Sequence, residues 1–317
     1  MRALITGISG FVGSHLAEHL VAEGDEVAGI SRRACFPPDW KIADRVKLFR
    51  GDIGCREFME RVLKEVAPEV VYHVAAVASV PESMREPERT WRTNLDATRL
   101  LYELLCRLPE TRRPRVVFAS TGSIYRPAVP GQRLDEEAVL APASPYAASK
   151  AAADLLSFQV AVNYGLHIVR LRCFNQLGPR QRLGFVAADV AAQIARAERG
   201  LQPPEIRVGD TRAIRDFTDV RDVVRAFRLA ARSAPSGTVF NVGSGTGRRI
   251  AELIEQLIQH SRAAVKIVVD STKCRPGDPT ALVADPRRLA ESTGWQPRIA
   301  FRQSVADLLD DWRRRIG

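Results

Sequence analysis

The glycines at 7, 10 and 13 constrain this chain of 317 residues more than any other feature. They stand in Gly7-Ile8-Ser9-Gly10-Phe11-Val12-Gly13, directly after a strand-forming run, Arg2–Thr6, and at the head of a helical pattern, Phe11–Glu23, closed by Gly24. A helix N-terminus offers free N–H groups and a positive dipole end to an anion, and glycines let the backbone approach a pyrophosphate. Gly13 lets the helix pack closely on the sheet. An isolated glycine-rich turn would carry little information. Between a strand and a helix it predicts dinucleotide binding, with Gly7, Gly10, Phe11, Val12 and Gly13 on the cofactor.

The first half of the chain keeps the same rhythm. Strand-like runs at Glu26–Ile30, Val46–Phe49, Val70–Val74, Arg115–Ala119 and Leu166–Leu171 alternate with helical patterns around Trp91–Leu108 and from Pro145 to about Tyr164. Such alternation specifies a parallel sheet covered on both faces, so the expected fold is α/β, a Rossmann-like doubly wound parallel sheet. After Asn175 the rhythm breaks. A helix over Val186–Arg199 is followed, at irregular spacing, by Val239–Val242, Ile250–His260 and Val265–Val269. The prediction is a dinucleotide-binding domain over 1–174, with about 213–242 woven back into it, and a smaller α/β lobe from 175–212 and 243–317.

Composition narrows the function classes. With 45% apolar residues the chain can bury a sizeable core. No run approaches the roughly 18 apolar residues of a membrane span, and the N-terminus does not read as a signal peptide. A cytoplasmic protein without membrane contact is expected. Cys35, Cys55, Cys106, Cys173 and Cys274 form no CxxC pair, and the five histidines have no metal-ligand spacing. That argues against a disulfide framework or a metal site. The net charge is +10, and all but six of the 47 basic residues are arginine. No dense basic block with interleaved aromatics accompanies it, so no nucleic-acid partner is expected. The excess fits biased codon usage or a pocket for anionic phosphates.

The end of the second strand selects the dinucleotide. NAD sites place an acid there for the ribose 2′-OH. Here the stretch is Ile30-Ser31-Arg32-Arg33, a hydroxyl and two guanidiniums that suit a 2′-phosphate. NADP(H) is preferred, with NAD(H) still open.

Catalytic chemistry enters at Ser144-Pro145-Tyr146-Ala147-Ala148-Ser149-Lys150, where Tyr146 and Lys150 lie at i and i+4 on one helical face. An ammonium beside a phenol favours phenolate and would lower the pKa of Tyr146, making a proton donor and acceptor usable near neutrality. Upstream, the fifth strand ends in Ser120-Thr121-Gly122-Ser123, a set of hydroxyls where parallel strands present their ligands.

Turn, hydroxyl and YxxxK in this order resemble the extended branch of the short-chain dehydrogenase/reductase family, which acts on nucleotide sugars. The resemblance covers essentially the whole chain. It includes Gly51-Asp52-Ile53, His73-Val74-Ala75-Ala76, Thr93-Asn94, Tyr146 to Lys150 and Arg215-Asp216-Phe217. It implies a catalytic set of Thr121, Tyr146 and Lys150, with Thr121 four residues before Tyr125. It also places Asp52, Ile53, Ala75, Ala76, Asn94, Tyr146, Lys150 and Cys173 on the cofactor.

Asn175-Gln176-Leu177-Gly178-Pro179-Arg180-Gln181, Leu183-Gly184-Phe185-Val186 and Arg275-Pro276 look like the GDP-4-keto-6-deoxy-mannose reductases, close relatives of the GDP-mannose 4,6-dehydratases. This implies that Ser79, Ser123, Asn175, Phe185, Val186, Arg215, Arg275 and Asp278 face a nucleotide sugar, most plausibly a GDP-sugar. Dehydratases of the branch carry an acid and a base where this chain has Gly122 and Ser123, which argues against dehydration. The implied reaction is NADPH-dependent reduction to a GDP-6-deoxyhexose such as GDP-rhamnose. A 4-epimerase with tightly held NAD is the alternative, since small residues at 122 and 123 and the Tyr125-Arg126 pair leave room for it. The intact Thr121, Tyr146 and Lys150 argue against a non-catalytic sensor. Relatives commonly pair through helices matching Trp91–Leu108 and Tyr146–Tyr164, so a homodimer is expected.

Overall fold

The computed structural model describes residues 1–32, 40–273 and 280–317. Arg33, Cys35, Cys274, Arg275 and Asp278 lie outside the described residues.

In chain order the strands are β1 (Arg2–Thr6), β2 (Glu26–Ser31), β3 (Val46–Arg50), β4 (Val70–His73), β5 (Arg115–Thr121), β6 (Ile168–Cys173), β7 (Asn175–Leu177), β8 (Glu205–Val208), β9 (Ile214–Asp219), β10 (Val239–Val242), β11 (Gly247–Arg249), β12 (Lys266–Val269) and β13 (Ala281–Leu282). Seven of them form one sheet in the order β10-β6-β5-β4-β1-β2-β3, parallel throughout. The order reverses beside β1, between β2 and β4, which is the switch point where such sheets bind ligands. Both faces of the sheet are covered, so β4 and β6 are buried along their whole length.

The helices are α1 (Phe11–Ala22), α2 (Arg56–Val66), α3 (Val80–Arg85), α4 (Pro87–Trp91), α5 (Ala97–Cys106), α6 (Pro145–Tyr164), α7 (Val186–Glu198), α8 (Val220–Ser233), α9 (Ile250–Gln259), α10 (Arg287–Thr293) and α11 (Phe301–Ile316). α1 and α8 supply Leu16, Leu20, Val223 and Phe227 to the core on one face of the large sheet. α2, α5 and α6 supply Met59, Val62, Leu101, Leu105 and Val160 to the other. α7, α9 and α11 enclose a third core around Ile194, Leu253 and Leu308.

The long helix expected around 91–108 is interrupted. A π turn, Arg92–Asp96, separates α4 from α5. Asn94 causes a local demand there: its Oδ1 accepts from Val77 N (2.8 Å), its Nδ2 donates to Val77 O (3.1 Å) and Ser149 Oγ (3.0 Å), and its carbonyl accepts from Thr98 Oγ1 (2.7 Å). A π turn widens the helix enough to aim one side chain inward, and such turns recur at functional sites. α2, α3, α8, α10 and α11 were not anticipated. Their apolar residues, such as Val305, Leu308, Leu309 and Trp312 on α11, are interleaved with many charges that mask the pattern.

The stretch 213–242 divides rather than returning whole. β9 joins the smaller sheet between β11 and β13, with β7 alongside, and only α8 and β10 return to the large one. Part of the C-terminal segment also comes back, since Leu289 and Trp295 are buried in the same core as α1 and α8.

Three aspartates hold this crossing together. Asp216, with no exposed surface, accepts from Ser244 N (2.8 Å), Ser244 Oγ (2.6 Å), Gly245 N (2.9 Å) and Ala284 N (3.1 Å). Asp219 accepts from Ser304 Oγ (2.6 Å) of α11, and Asp222 from the amides of Arg298 (2.9 Å) and Ile299 (2.8 Å). Spaced by three residues, they tie the chain between the two sheets to three later segments. Asp216→Ala would leave three amides, two of them buried, without an acceptor. It is expected to lower unfolding stability by about 3 kcal/mol or more, measured by urea titration.

Candidate active site

The glycine turn is built as its residues require. Gly7 has φ +74°, and a Cβ on it would stand 2.8 Å from Ala75 Cα; a Cβ on Gly13 would stand 2.3 Å from Gly7 O. Side chains are excluded at both positions by contact with neighbouring backbone. Gly10 is the N-cap of α1 and supplies no side-chain cap, so the amides of the first turn, at Phe11, Val12 and Gly13, are left for an outside acceptor. Behind the turn, Ala75 N donates to Thr6 Oγ1 (3.2 Å), and His73 bridges Thr6 Oγ1 (2.8 Å) and Thr98 Oγ1 (2.9 Å). Burial pulls the His73 imidazole down to about 3, so it is neutral and structural.

At the end of β2 the sequence-predicted pair separates by role. Ser31 is buried, with its Oγ 2.6 Å from Ser9 Oγ, and ties β2 to the glycine turn. Arg32 is exposed and lines a cavity of about 480 Å³ together with Asp52, Arg56, Arg89, Arg92 and Arg99. Arg56 is paired with Glu103 and Arg89 with Glu86. Arg32 and Arg92 have no hydrogen-bond or ion-pair partner among the described residues. Ile53 is packed in the core rather than in this cavity, and Asn94 is 1% exposed with its side chain committed to Val77 and Ser149. Asn94 therefore acts from behind the cleft.

Thr121, Tyr146, Lys150 and Cys173 come together at the ends of β5 and β6 and the first turns of α6. Pro145 at the first helical position and Ser144, whose Oγ accepts from Ala147 N (3.1 Å), start α6 at the place that delivers Tyr146. Thr121 ends β5, and its Oγ1 accepts from Ser123 N (3.1 Å). Burial pushes the Tyr146 phenol up to about 12, with a hydrogen bond to Thr121 acting the other way. The expected lowering by Lys150 does not occur in this geometry. Lys150 is 3% exposed and its Nζ lies 4.0 Å from the ring centroid of Phe118 on β5. Burial pulls this ammonium down to about 7, partly offset by Asp154. It has no hydrogen-bond acceptor among the described residues. Burial likewise pushes the Cys173 thiol up to about 12.

Beside Thr121 the wall is closed. A Cβ on Gly122 would lie 2.9 Å from three atoms of the Phe174 ring, so no side chain fits there without moving that ring. Ser123 is half-buried. Of the residues expected on the substrate, Asn175 opens β7, Phe185 caps α7 and is exposed, and Val186 begins that helix. Arg215 is buried in β9, its Nη1 donating to Ile214 O (2.9 Å). Ser79 Oγ accepts from Glu82 N (3.4 Å) as the cap of α3 and stands 3.7 Å from the place of a Cβ on Gly184.

Sequence reasoning missed Phe118, Asp154 and Phe174. Asp154 had a legible signal, since it follows Tyr146 and Lys150 at the same four-residue interval on α6. Phe118 and Phe174 had none, because their contacts cross the sheet.

The family model of GDP-mannose 4,6 dehydratase matches residues 4–308. The chain belongs to this family. The GDP-6-deoxy-D-mannose reductase of Pseudomonas aeruginosa is 35% identical over 316 residues, covering 99% of this chain and 98% of the relative. The solved structure of RMD from Pseudomonas aeruginosa complexed with NADPH has a TM-score of 0.83 at 33% identity, over 99% of this chain and 100% of that one. The Thermus thermophilus UDP-glucose 4-epimerase in complex with NAD has a TM-score of 0.87 at 33% identity, over 99% of each chain. As a member of the GDP-mannose 4,6 dehydratase family the protein is an NAD(P)-dependent oxidoreductase of the extended short-chain dehydrogenase/reductase type.

A buried ammonium without an acceptor destabilises the free protein, and that generates a test. Lys150→Met is expected to raise the melting temperature of the cofactor-free protein by about 2 °C or more at pH 7. The sign follows from the depressed pKa: between about 7 and 10.5 the unfolded lysine holds a proton that the folded one lacks. Wild-type stability therefore falls as pH drops through that window, and the advantage of the variant vanishes above it. Differential scanning fluorimetry across pH measures both.

Proposed function

We propose that the protein is an NADPH-dependent nucleotide-sugar 4-keto reductase that converts GDP-4-keto-6-deoxy-mannose to a GDP-6-deoxyhexose, GDP-rhamnose. The observation that carries this reading is the wall beside Thr121. The Phe174 ring occupies the space of any side chain at Gly122, and Ser123 has no carboxyl, so the acid and base that dehydration requires have no place there. The substrate assignment is further supported by 35% identity to a GDP-6-deoxy-D-mannose reductase.

The residues fit a dinucleotide. The uncapped first turn of α1 suits its diphosphate, Lys150 lacks an acceptor that ribose hydroxyls would supply, and Arg32 and Arg92 line a cavity suited to a 2′-phosphate. When bound, NADPH supplies the hydride for C4 of the sugar. Tyr146, held protonated at neutral pH with its phenol near 12, donates the proton to the sugar oxygen. Thr121 hydrogen-bonds the same oxygen and keeps the phenol oriented. Lys150 binds ribose and, once charged, stabilises the phenolate that proton transfer leaves behind. Ser79, Ser123, Asn175, Phe185, Val186 and Arg215 form the sugar-nucleotide side.

A nucleotide-sugar 4-epimerase is the second reading, favoured by the likeness to the Thermus thermophilus epimerase. Absorbance at 340 nm with NADPH and GDP-4-keto-6-deoxy-mannose separates the two. The expected result is stoichiometric NADPH loss, reduced about 100-fold or more by Tyr146→Phe. No consumption, together with interconversion of GDP- or UDP-hexoses without added cofactor, would establish the epimerase instead.

We also infer a homodimer, through α6, the second of the two helices that the family resemblance implied. Leu100, Leu101, Leu104 and Leu105 are all buried within the protomer. An exposed apolar face lies on α6, where Leu155, Phe158 and Val162 are 55%, 48% and 62% exposed at helical spacing. Leu155→Glu with Phe158→Glu is expected to halve the mass measured by light scattering without loss of helical circular dichroism. An unchanged mass would sink the assignment of this face.

A further inference from the structure

The segment between β7 and α7 runs from the smaller sheet across to α1, and its backbone is fastened on both sides. Arg180, at φ +68°, donates its amide to Asp311 Oδ2 (2.7 Å) on α11. Its guanidinium reaches Glu18 Oε1 (2.8 Å) and His15 Nδ1 (2.7 Å) on α1. Gln181 donates to Gln176 O (2.8 Å) and accepts at its carbonyl from Arg315 Nη1 (3.1 Å). Gly184 N donates to Asp189 Oδ1 (2.8 Å). Between these anchors stands Arg182, an exposed residue whose Nη2 lies 3.8 Å from the place a Cβ would take on Gly10. The guanidinium therefore sits over the cap of α1.

We propose that Arg182 is a cofactor-binding residue that grips the diphosphate of the dinucleotide from the sugar-nucleotide side of the cleft. The proposal rests on the reading of the glycine turn as a dinucleotide site. Residues 7–13 contain no charged side chain, and a helix end supplies only about half a unit of positive charge. A diphosphate carries about two negative charges, so the turn alone leaves most of that charge unmatched. A guanidinium fork can meet two of its oxygens at once, and the anchored backbone on either side limits the entropy lost in doing so. Phe185 and Val186 continue the same segment, so a grip on the cofactor also sets the wall assigned above to the nucleotide sugar.

The experiment is equilibrium titration of the purified protein with NADPH and, separately, NADH, followed by fluorescence of the reduced nicotinamide. Arg182→Ala is expected to weaken both nucleotides alike by about tenfold or more, because both carry the diphosphate. Arg182→Lys recovers part of the loss. Arg32→Ala serves as the contrast, weakening NADPH alone. Melting temperatures and circular dichroism of the cofactor-free variants control for folding. Unchanged binding in Arg182→Ala overturns the proposal, and so does a loss confined to NADPH, which would place Arg182 on the 2′-phosphate. Wild-type protein that binds neither nucleotide would overturn the dinucleotide reading itself, and this proposal with it.

Discussion

The seating of the helix that carries Tyr146 and Lys150 depends on one buried carboxylate. Asp154 has no exposed surface and accepts from Arg170 Nη1 (3.0 Å), Arg172 Nη2 (2.9 Å) and Arg172 Nε (3.2 Å), both arginines belonging to β6. Hydrogen bonds and charge from Arg172 hold its carboxyl below the usual range despite burial. Ion pairs taken out of water offset their desolvation only when geometry and further hydrogen bonds are good. Here they are: Arg172 also donates to Tyr125 OH (2.8 Å) and Glu136 O (3.0 Å), and Tyr125 OH donates to Asn241 Oδ1 (2.8 Å) on β10. The chain of contacts clamps α6 to β6 and β10 one turn beyond Lys150 and two turns beyond Tyr146. The rigid helix start that presents the phenol to Thr121 is a consequence.

The opposed shifts at Tyr146 and Lys150 follow from the same packing. Both groups are dehydrated, which disfavours phenolate and ammonium equally in kind. With the lysine over Phe118, neither relieves the other, and the pair rests as a neutral phenol beside an ammonium that gives up its proton near pH 7. A protonated phenol is the form that the proposed reduction requires to quench an alkoxide. Working in the other direction, as an epimerase must in its first half-reaction, requires removing that proton. A ligand that satisfies the ammonium would bring the two closer to the balance that the i, i+4 spacing suggested.

What could be read from the chain was whatever depends on local order. Strand, turn and helix over 2–22 were legible because glycine geometry and helix-end electrostatics act within a few residues, and Pro145 marked the start of α6 for the same reason. The π turn at 92–96 was not legible, because Asn94 distorts the helix to reach Val77 and Ser149, contacts that exist only after folding. Arg215-Asp216-Phe217-Thr218-Asp219-Val220-Arg221-Asp222 looked like a substrate motif through its arginine. Its aspartates turn out to be the tie points between sheets. Gly122 was read as an absent acid, but only the Phe174 ring explains why nothing larger stands there.

The surplus of arginine takes on meaning when each charge is matched to its counter-ion. Away from the cleft several guanidiniums are consumed in pairs: Arg170 and Arg172 with Asp154, Arg221 with Asp219 and Asp307, Arg288 with Glu136 and Glu137, Arg313 with Glu198 and Asp310. These are structural charges. Within the cleft the matching fails, for Arg32, Arg92 and Lys150 have no carboxylate among the described residues. The buried ammonium of Lys150 bears a desolvation cost that an outside acceptor would relieve, while the exposed Arg32 and Arg92 are hydrated and open to an anion. A dinucleotide and a nucleoside-diphosphate sugar together bring several phosphates and many hydroxyls. Arg32, Arg92 and Lys150 thus place part of the excess positive charge where such anionic ligands would meet it.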